Sequence, residues 1–321
     1  MISSASSPLL LRWGQSPYEQ GEKLLVEKSR LEALGVSVRQ FPGEVLPIVL
    51  RDTRVLVVTS MKRLGPVEMD LAPELSLIVT TTSGTDHLDL DAARARGIAV
   101  ARCPMARRDA VVESSLGMIL ALLRDLPRLQ GEAREGRWVR ADLPGRGIER
   151  LGSLSVGVVG LGVIGARMVE ILRALGARVH GFDPRVHLEG IEVCDPVEMF
   201  RSCRVVTLHC ALERGRPPVV GRACLEAARP DLILVNTARG GVLDLDAADE
   251  ALRAGRLGGL GIDVFPREPW PDMGLLAAHA RVLLTPHGAG WHEGLGEAIA
   301  DELVACVSAW IDGRPLPHRV A

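Results

Sequence analysis

Residues 156–183 read VGVVGLGVIGARMVEILRALGARVHGFD. The run 156–159 is short and β-branched, the pattern of a strand buried in a parallel sheet. Residues 166–175 carry a helical pattern, and Gly176 stands where a helix closes. A second strand-like run, 179–182, ends at Asp183. Between the first strand and the helix lie Gly160, Leu161, Gly162, Val163, Ile164 and Gly165. Gly160 permits a tight turn, Gly162 lets a diphosphate approach the backbone, and Gly165 lets helix and strand pack closely. The N-terminus of the helix would face that diphosphate with its N–H groups. Asp183 lies 18 residues past Gly165, close to the spacing of about 20 at which a carboxylate meets the adenosine ribose hydroxyls. Such a carboxylate repels a 2′-phosphate, so NAD is expected over NADP, with Arg185 two residues away softening the discrimination. Three glycines alone are a weak signal. A strand before them, a helix after and an acid at the next strand's end make a dinucleotide turn the better reading than a ligand-free glycine turn.

Working outward, strand-like runs alternate with helix-like ones, the signature of α/β architecture. Residues 9–13, 36–41, 55–59, 77–81 and 98–101 read as strands, with helices at 20–34 and 90–96. This first section, to about residue 104, reads as a small parallel-sheet domain. Residues 109–124 read as a long helix ending before Pro127 and apolar on most faces, so burial nearly all round is expected, between domains or subunits. Residues 131–152 look like a loop-rich connection. Beyond Asp183, further strands are expected at 205–209, 232–236, 259–264 and 282–284, then an amphipathic helix at 297–311. Residues 1–155 precede the strand of the glycine turn, so another domain comes first.

Composition narrows the function classes. The 321 residues carry a net charge of −2 and few aromatics (3%), so neither phosphate-backbone attraction nor a base-stacking platform is supported. Lys23, Lys28 and Lys62 are the three lysines among 38 basic residues. A Schiff-base lysine or a phosphate-loop lysine in the second half is thereby excluded, and anions must be met by arginine, backbone N–H groups or helix N-termini. Six cysteines, at 103, 194, 203, 210, 224 and 306, form no C-x-x-C pair, so no metal site is expected and the thiols read as reduced packing residues of a cytoplasmic protein. The opening MISSASSPLLLRW has too short an apolar run for a signal peptide or a membrane span. No G-x-S-x-G or H-E-x-x-H occurs, which removes the serine-hydrolase and zincin readings.

The blocks SGTDHLDLDAARARGIAV, VVESSLGMILALLRDLP, VGVVGLGVIGARMVEIL, VNTARGGVLD, GIDVFPREP and TPHGAG resemble, in order, those of the D-isomer-specific 2-hydroxyacid dehydrogenases, over nearly the whole chain. The resemblance implies two doubly wound parallel-sheet domains with a cleft between them. A Rossmann-type cofactor domain (105–289) would be inserted in a flavodoxin-like substrate domain (1–104 and 290–321). It also implies an NAD-dependent oxidoreductase acting on a 2-hydroxy or 2-oxo acid of D configuration, and a homodimer formed through the cofactor domain. Corepressors share this fold and its polar set, so a nucleotide-sensing binding protein is the alternative. The chain's end at residue 321, soon after the last expected helix, gives no reason to expect an effector domain.

Reduction of a 2-oxo acid needs a hydride donor, a proton donor at the carbonyl oxygen and a cation for the carboxylate. By resemblance His287 is the proton donor, in keeping with an imidazole's titration near neutral pH. Glu268 would hold the imidazole and stabilise its cation. Arg239 would grip the substrate carboxylate and polarise the carbonyl. Asp263 matches a position beside the nicotinamide, Thr237 and Ala238 match backbone lining the cofactor, and His209 matches a histidine near it. Ser83 and Gly84 match the loop whose amides hold the substrate carboxylate. Singly, Arg239, His287 and Glu268 read better as a surface arginine, a loop histidine and a solvated charge, and their place in three successive matching blocks reverses this; a core or rim histidine stands beside the cofactor reading of His209, and an ordinary turn beside that of Ser83 and Gly84.

The chain departs from the family where asparagines are common, carrying Arg102 and Arg107, with Arg108 adjoining. Either these three recognise an additional anionic group on the substrate, or they form a solvated or salt-bridged basic loop.

Overall fold

The computed structural model describes residues 7–14, 21–41, 43, 47–213 and 215–321. The chain divides into two compact units, Met1–Arg107 with His292–Ala321, and Arg108–Trp291.

Among the described residues the first unit holds five strands: β1 (Leu9–Trp13), β2 (Ser37–Phe41), β3 (Thr53–Val58), β4 (Leu77–Thr80) and β5 (Ala99–Arg102). They pair in parallel in the order β2-β1-β3-β4-β5, the doubly wound order of flavodoxin-like sheets. Alternating side chains of the strands feed two cores. On one face Leu11, Leu56, Val58 and Ile78 pack together. On the other, Leu10, Val55, Val57 and Val79 meet Leu303, Cys306 and Val307 of the last helix, Leu295–Ile311. The C-terminal segment then returns to β5, where the Val320 amide donates to the Val100 carbonyl. The expected helix 20–34 forms as Glu22–Glu32, with residue 20 outside the described residues.

The described residues of the second unit form seven strands: β6 (Ser155–Val159), β7 (Arg178–Phe182), β8 (Glu192–Val193), β9 (Val205–Leu208), β10 (Ile233–Asn236), β11 (Gly259–Ile262) and β12 (Val282–Leu284). All pair in parallel, in the order β12-β11-β10-β9-β6-β7-β8. The chain runs outward from β6 through β7 and β8, then restarts on the other side at β9. This reversal between β6 and β9 is the switch point beyond whose carboxyl ends ligands bind in open α/β sheets. Both faces are covered by apolar clusters, as continuous apolar strands require.

Two expectations need correction. The long helix spans Met105–Leu123, and its burial is one-sided. Val112, Ile119 and Leu122 are buried with Val156, Ile233 and Val235 of the sheet, whereas Glu113 and Gly117 are exposed. Within this chain the helix also buries Ala106 against Leu295 and Ile299, and its remaining sides stay open. The supposed loop region also begins with a helix, Leu126–Arg134, carrying a proline in its first turn. Pro127 therefore starts a helix rather than merely ending one, because the first turn needs no N–H from it.

Candidate active site

The glycine turn sits at the carboxyl end of β6. Gly160 has φ +93, and a side chain there would strike the backbone of His209 and Cys210. A Cβ on Gly165 would lie 1.8 Å from the Gly160 carbonyl oxygen. These two glycines are required by the fold itself. Gly162 is not: its φ is −67, and an added Cβ would meet nothing within 4 Å. It begins the helix Val163–Ala174, whose first-turn amides, around Val163 and Ile164, have no intrahelical acceptor. Open space over Gly162, beside these amides, is a cradle of the kind a diphosphate fills.

Asp183 follows β7 and closes the turn. One carboxylate oxygen accepts the Leu161 amide at 2.9 Å, and the other accepts the amides of Arg185 (2.8 Å) and Val186 (3.0 Å). A cavity of about 310 Å³ opens next to it, walled by Gly160, Phe182, Asp183, Val219 and Val242 among others. His209 lies behind the turn, its Nε2 3.0 Å from the Thr207 hydroxyl. Its buried Nδ1 has no partner among the described residues, and burial holds the ring's pKa down at about 4, so the imidazole is neutral at physiological pH. The open cradle, the cavity beside Asp183 and this orphaned nitrogen all fit a bound dinucleotide.

Three loops at the carboxyl ends of β10, β11 and β12 bring the polar set together. After β10, the buried Asn236 side chain bridges its own loop. It accepts the Ala238 amide and donates to the Arg239 carbonyl, each at 3.0 Å. Thr237 is turned the other way, its hydroxyl 2.7 Å from that of Ser115. At Gly240 a Cβ would come within 1.9 Å of the Phe265 carbonyl carbon, so only glycine lets the Arg239 loop lie against the loop after β11.

That second loop carries Asp263 and Glu268. Asp263 is 1% exposed. Its carboxylate accepts the Thr285 hydroxyl (2.6 Å) and the amides of Gly288 (2.8 Å) and Ala289 (3.1 Å). Its three acceptor contacts go to the loop after β12, so its visible work is to shape the turn that presents His287. The His287 backbone is left-handed, at φ +55, a conformation that a non-glycine residue keeps only when its surroundings fix it.

His287 Nδ1 lies 2.6 Å from one oxygen of Glu268, and the other oxygen accepts the Phe265 amide at 3.0 Å. Facing a carboxylate, Nδ1 carries a proton, which leaves Nε2 as the ring nitrogen for a reacting group. Burial pushes the Glu268 carboxyl up, but the bonds from His287 and Phe265 and the charges of His287 and Arg239 outweigh it. The carboxyl therefore stays below its ordinary range. The imidazole is half exposed, at 50%. An accessible imidazole backed by a carboxylate, with a guanidinium acting on the same carboxylate, suits proton exchange with an anionic substrate.

The family model described as D-isomer specific 2-hydroxyacid dehydrogenase, NAD binding domain, matches residues 116–289. The chain belongs to this family. It is 32% identical over 297 residues to D-3-phosphoglycerate dehydrogenase of Methanocaldococcus jannaschii, covering 89% of this chain and 55% of the relative. The chain thus spans about half the length of the curated relatives it matches. Among solved structures it is similar to D-lactate dehydrogenase of Aquifex aeolicus, in complex with NAD and lactic acid. That likeness has 26% identity, covers 95% of this chain and 96% of the other, and has a TM-score of 0.80. The NADPH-dependent glyoxylate/hydroxypyruvate reductase of Sinorhizobium meliloti, in complex with NADP and malonate, is 27% identical with a TM-score of 0.81, over 98% and 97% of the two chains. These relatives are hydroxyacid oxidoreductases and lend no support to the corepressor alternative. No helix among the described residues is long and apolar enough to cross a membrane.

Ser83 and Gly84 lie in the first unit, on the loop after β4. Four successive carbonyls of that loop are tied back. Thr81 O accepts from Arg107, Thr82 O from the Cys103 amide, Ser83 O from Arg102 at 2.7 Å, and Gly84 O from the Thr82 hydroxyl at 2.8 Å. What this loop has left to offer is its N–H side. Arg108 pairs with Asp109 at 2.8 Å. The three unusual arginines are therefore engaged by the protein's own oxygens, which favours the structural reading of them over an extra anion site.

Proposed function

We propose that this protein is an NAD-dependent oxidoreductase that transfers a hydride between nicotinamide and a small 2-hydroxy or 2-oxo acid of D configuration. The observation that carries the reading is the 2.6 Å contact of His287 with Glu268, beside Arg239, at the switch-point end of a sheet with a glycine turn. The dinucleotide, when bound, supplies the hydride. Gly160, Leu161, Gly162, Val163, Ile164 and Gly165 would hold its diphosphate and Asp183 its ribose. His209, Thr237, Ala238 and Asp263 would line or shape the nicotinamide side.

In the reducing direction Arg239 draws the substrate carboxylate and polarises the carbonyl, and His287 Nε2 delivers the proton to the developing alkoxide. Glu268 remains ionised and lowers the cost of the imidazolium. Ser83 and Gly84 are proposed to offer amides to the substrate carboxylate. In oxidation His287 takes the proton back. We further propose a homodimer formed through the Arg108–Trp291 unit, a cytoplasmic location, and no nucleic-acid or membrane partner.

The test is NADH oxidation with glyoxylate, hydroxypyruvate, pyruvate and phosphohydroxypyruvate, repeated with His287→Asn. Turnover of at least one acid is expected, lowered about 10²- to 10⁴-fold in the variant, and only D isomers should be oxidised in reverse. An unchanged rate in His287→Asn, or no turnover of any acid, would overturn the proposal.

A further inference from the structure

We propose that Glu213 sets the choice between the two nicotinamide dinucleotides. This rests on the dinucleotide reading above and extends it to a residue that no glycine motif contains. Among the described residues the cavity beside the glycine turn has four charged side chains on its lining: Asp183 and Arg185 after β7, and Glu213 and Arg216 after β9. Glu213 meets both arginines. One carboxylate oxygen lies 3.3 Å from Arg185 and the other 4.0 Å from Arg216.

The two NAD-type cofactors differ by one ribose 2′-phosphate, which carries close to two negative charges at neutral pH. Arginine is the side chain suited to such a group, through its planar donor fork. Of the described residues, Arg185 and Arg216 stand at this cavity, yet both lean on one carboxylate, and with Asp183 the charges of these four side chains cancel. A 2′-phosphate would have to displace Glu213 from both guanidinium groups and then sit beside two carboxylates. The ribose hydroxyls of NAD need neither step. Arg185 is 71% exposed and Glu213 49%. Ion pairs this open to water contribute little to stability, so the loss of Glu213 should change the cavity's charge without unfolding the unit. Without it, Asp183 is left facing two released arginines, and the balance tips toward a phosphate.

The experiment measures dissociation constants of NADH and NADPH for the full chain by calorimetry, at low salt and at 0.5 M salt, with a thermal melt of each variant. The wild type should bind NADH at least about ten-fold more tightly than NADPH. Glu213→Gln should tighten NADPH about ten-fold while moving NADH less than about two-fold, and the gain should shrink at high salt. Adding Arg185→Ala to Glu213→Gln should remove most of the gain. If the wild type binds neither nucleotide, the dinucleotide reading itself fails. If the wild type binds NADH and Glu213→Gln leaves the NADPH-to-NADH ratio within two-fold, the role of Glu213 is overturned while that reading stands.

Discussion

The backbone amide of His287 donates to the carbonyl oxygen of Asp263 at 2.7 Å, while the Asp263 carboxylate takes the next two amides, those of Gly288 and Ala289. One buried residue thus dictates the left-handed turn on which the imidazole stands. Asp263→Ala would leave the Thr285 hydroxyl and two amides without an acceptor. We expect a loss of about 3 kcal/mol in urea unfolding, together with a kcat lowered about 100-fold. A variant with wild-type stability and rate would show that the turn holds without the carboxylate.

Glu268→Gln keeps the shape of the pair and removes its charge. The expected result is a kcat lowered about 10- to 100-fold, with KM changed far less. Because the folded carboxyl lies below its ordinary range, its stabilising effect is complete above about pH 5 and is lost as the pH falls through the lowered folded value. Unfolding curves of the wild type and Glu268→Gln should therefore run parallel above that pH and converge in acid. A gap that widened on acidification would contradict this sign.

Gly162→Ala and Gly165→Ala should behave as opposites. The first meets open space, so its stability should stay within about 0.5–1 kcal/mol of wild type, while nucleotide affinity falls at least about ten-fold. The second collides with the Gly160 carbonyl and should cost about 3 kcal/mol or prevent folding. Calorimetric binding and thermal melts separate the two effects. Undiminished affinity in Gly162→Ala would refute the diphosphate cradle.

Arg102→Asn should loosen the Ser83 carbonyl and with it the amides proposed for the substrate carboxylate. An increase in KM of about ten-fold, equal for plain and phosphorylated 2-oxo acids, is expected, with kcat within about two-fold. A selective loss for the phosphorylated acid would instead restore Arg102 as an anion receptor.

The glycine turn, the strand alternation and the blocks around Arg239, Glu268 and His287 were legible in sequence because each is a local pattern with a fixed spacing. What stayed hidden was partnership across the fold. Nothing in VNTARG announces that Asn236 laces its own loop, though a lone buried amide ending an apolar strand is the trace it leaves. Arg102 and Arg107 look like anion receptors until the carbonyls of Ser83 and Thr81 arrive from another strand end. Pro127 reads as a terminator because proline's missing N–H stops a helix, and the same lack suits the first turn of the next one. The apolar helix from Met105 to Leu123 reads as buried nearly all round because composition alone cannot tell which sides find partners within the chain.

The segment 292–321 belongs with residues 1–107, and its helix supplies Leu303, Cys306 and Val307 to the core over Leu10, Val55 and Val57. Translation delivers the five strands of that sheet first and their cover last, with all seven strands of the other unit in between. As the polypeptide leaves the ribosome, the Arg108–Trp291 unit is therefore the part that can finish before the other. The strands before residue 104 must wait, half dressed, until residues 292–321 have been made.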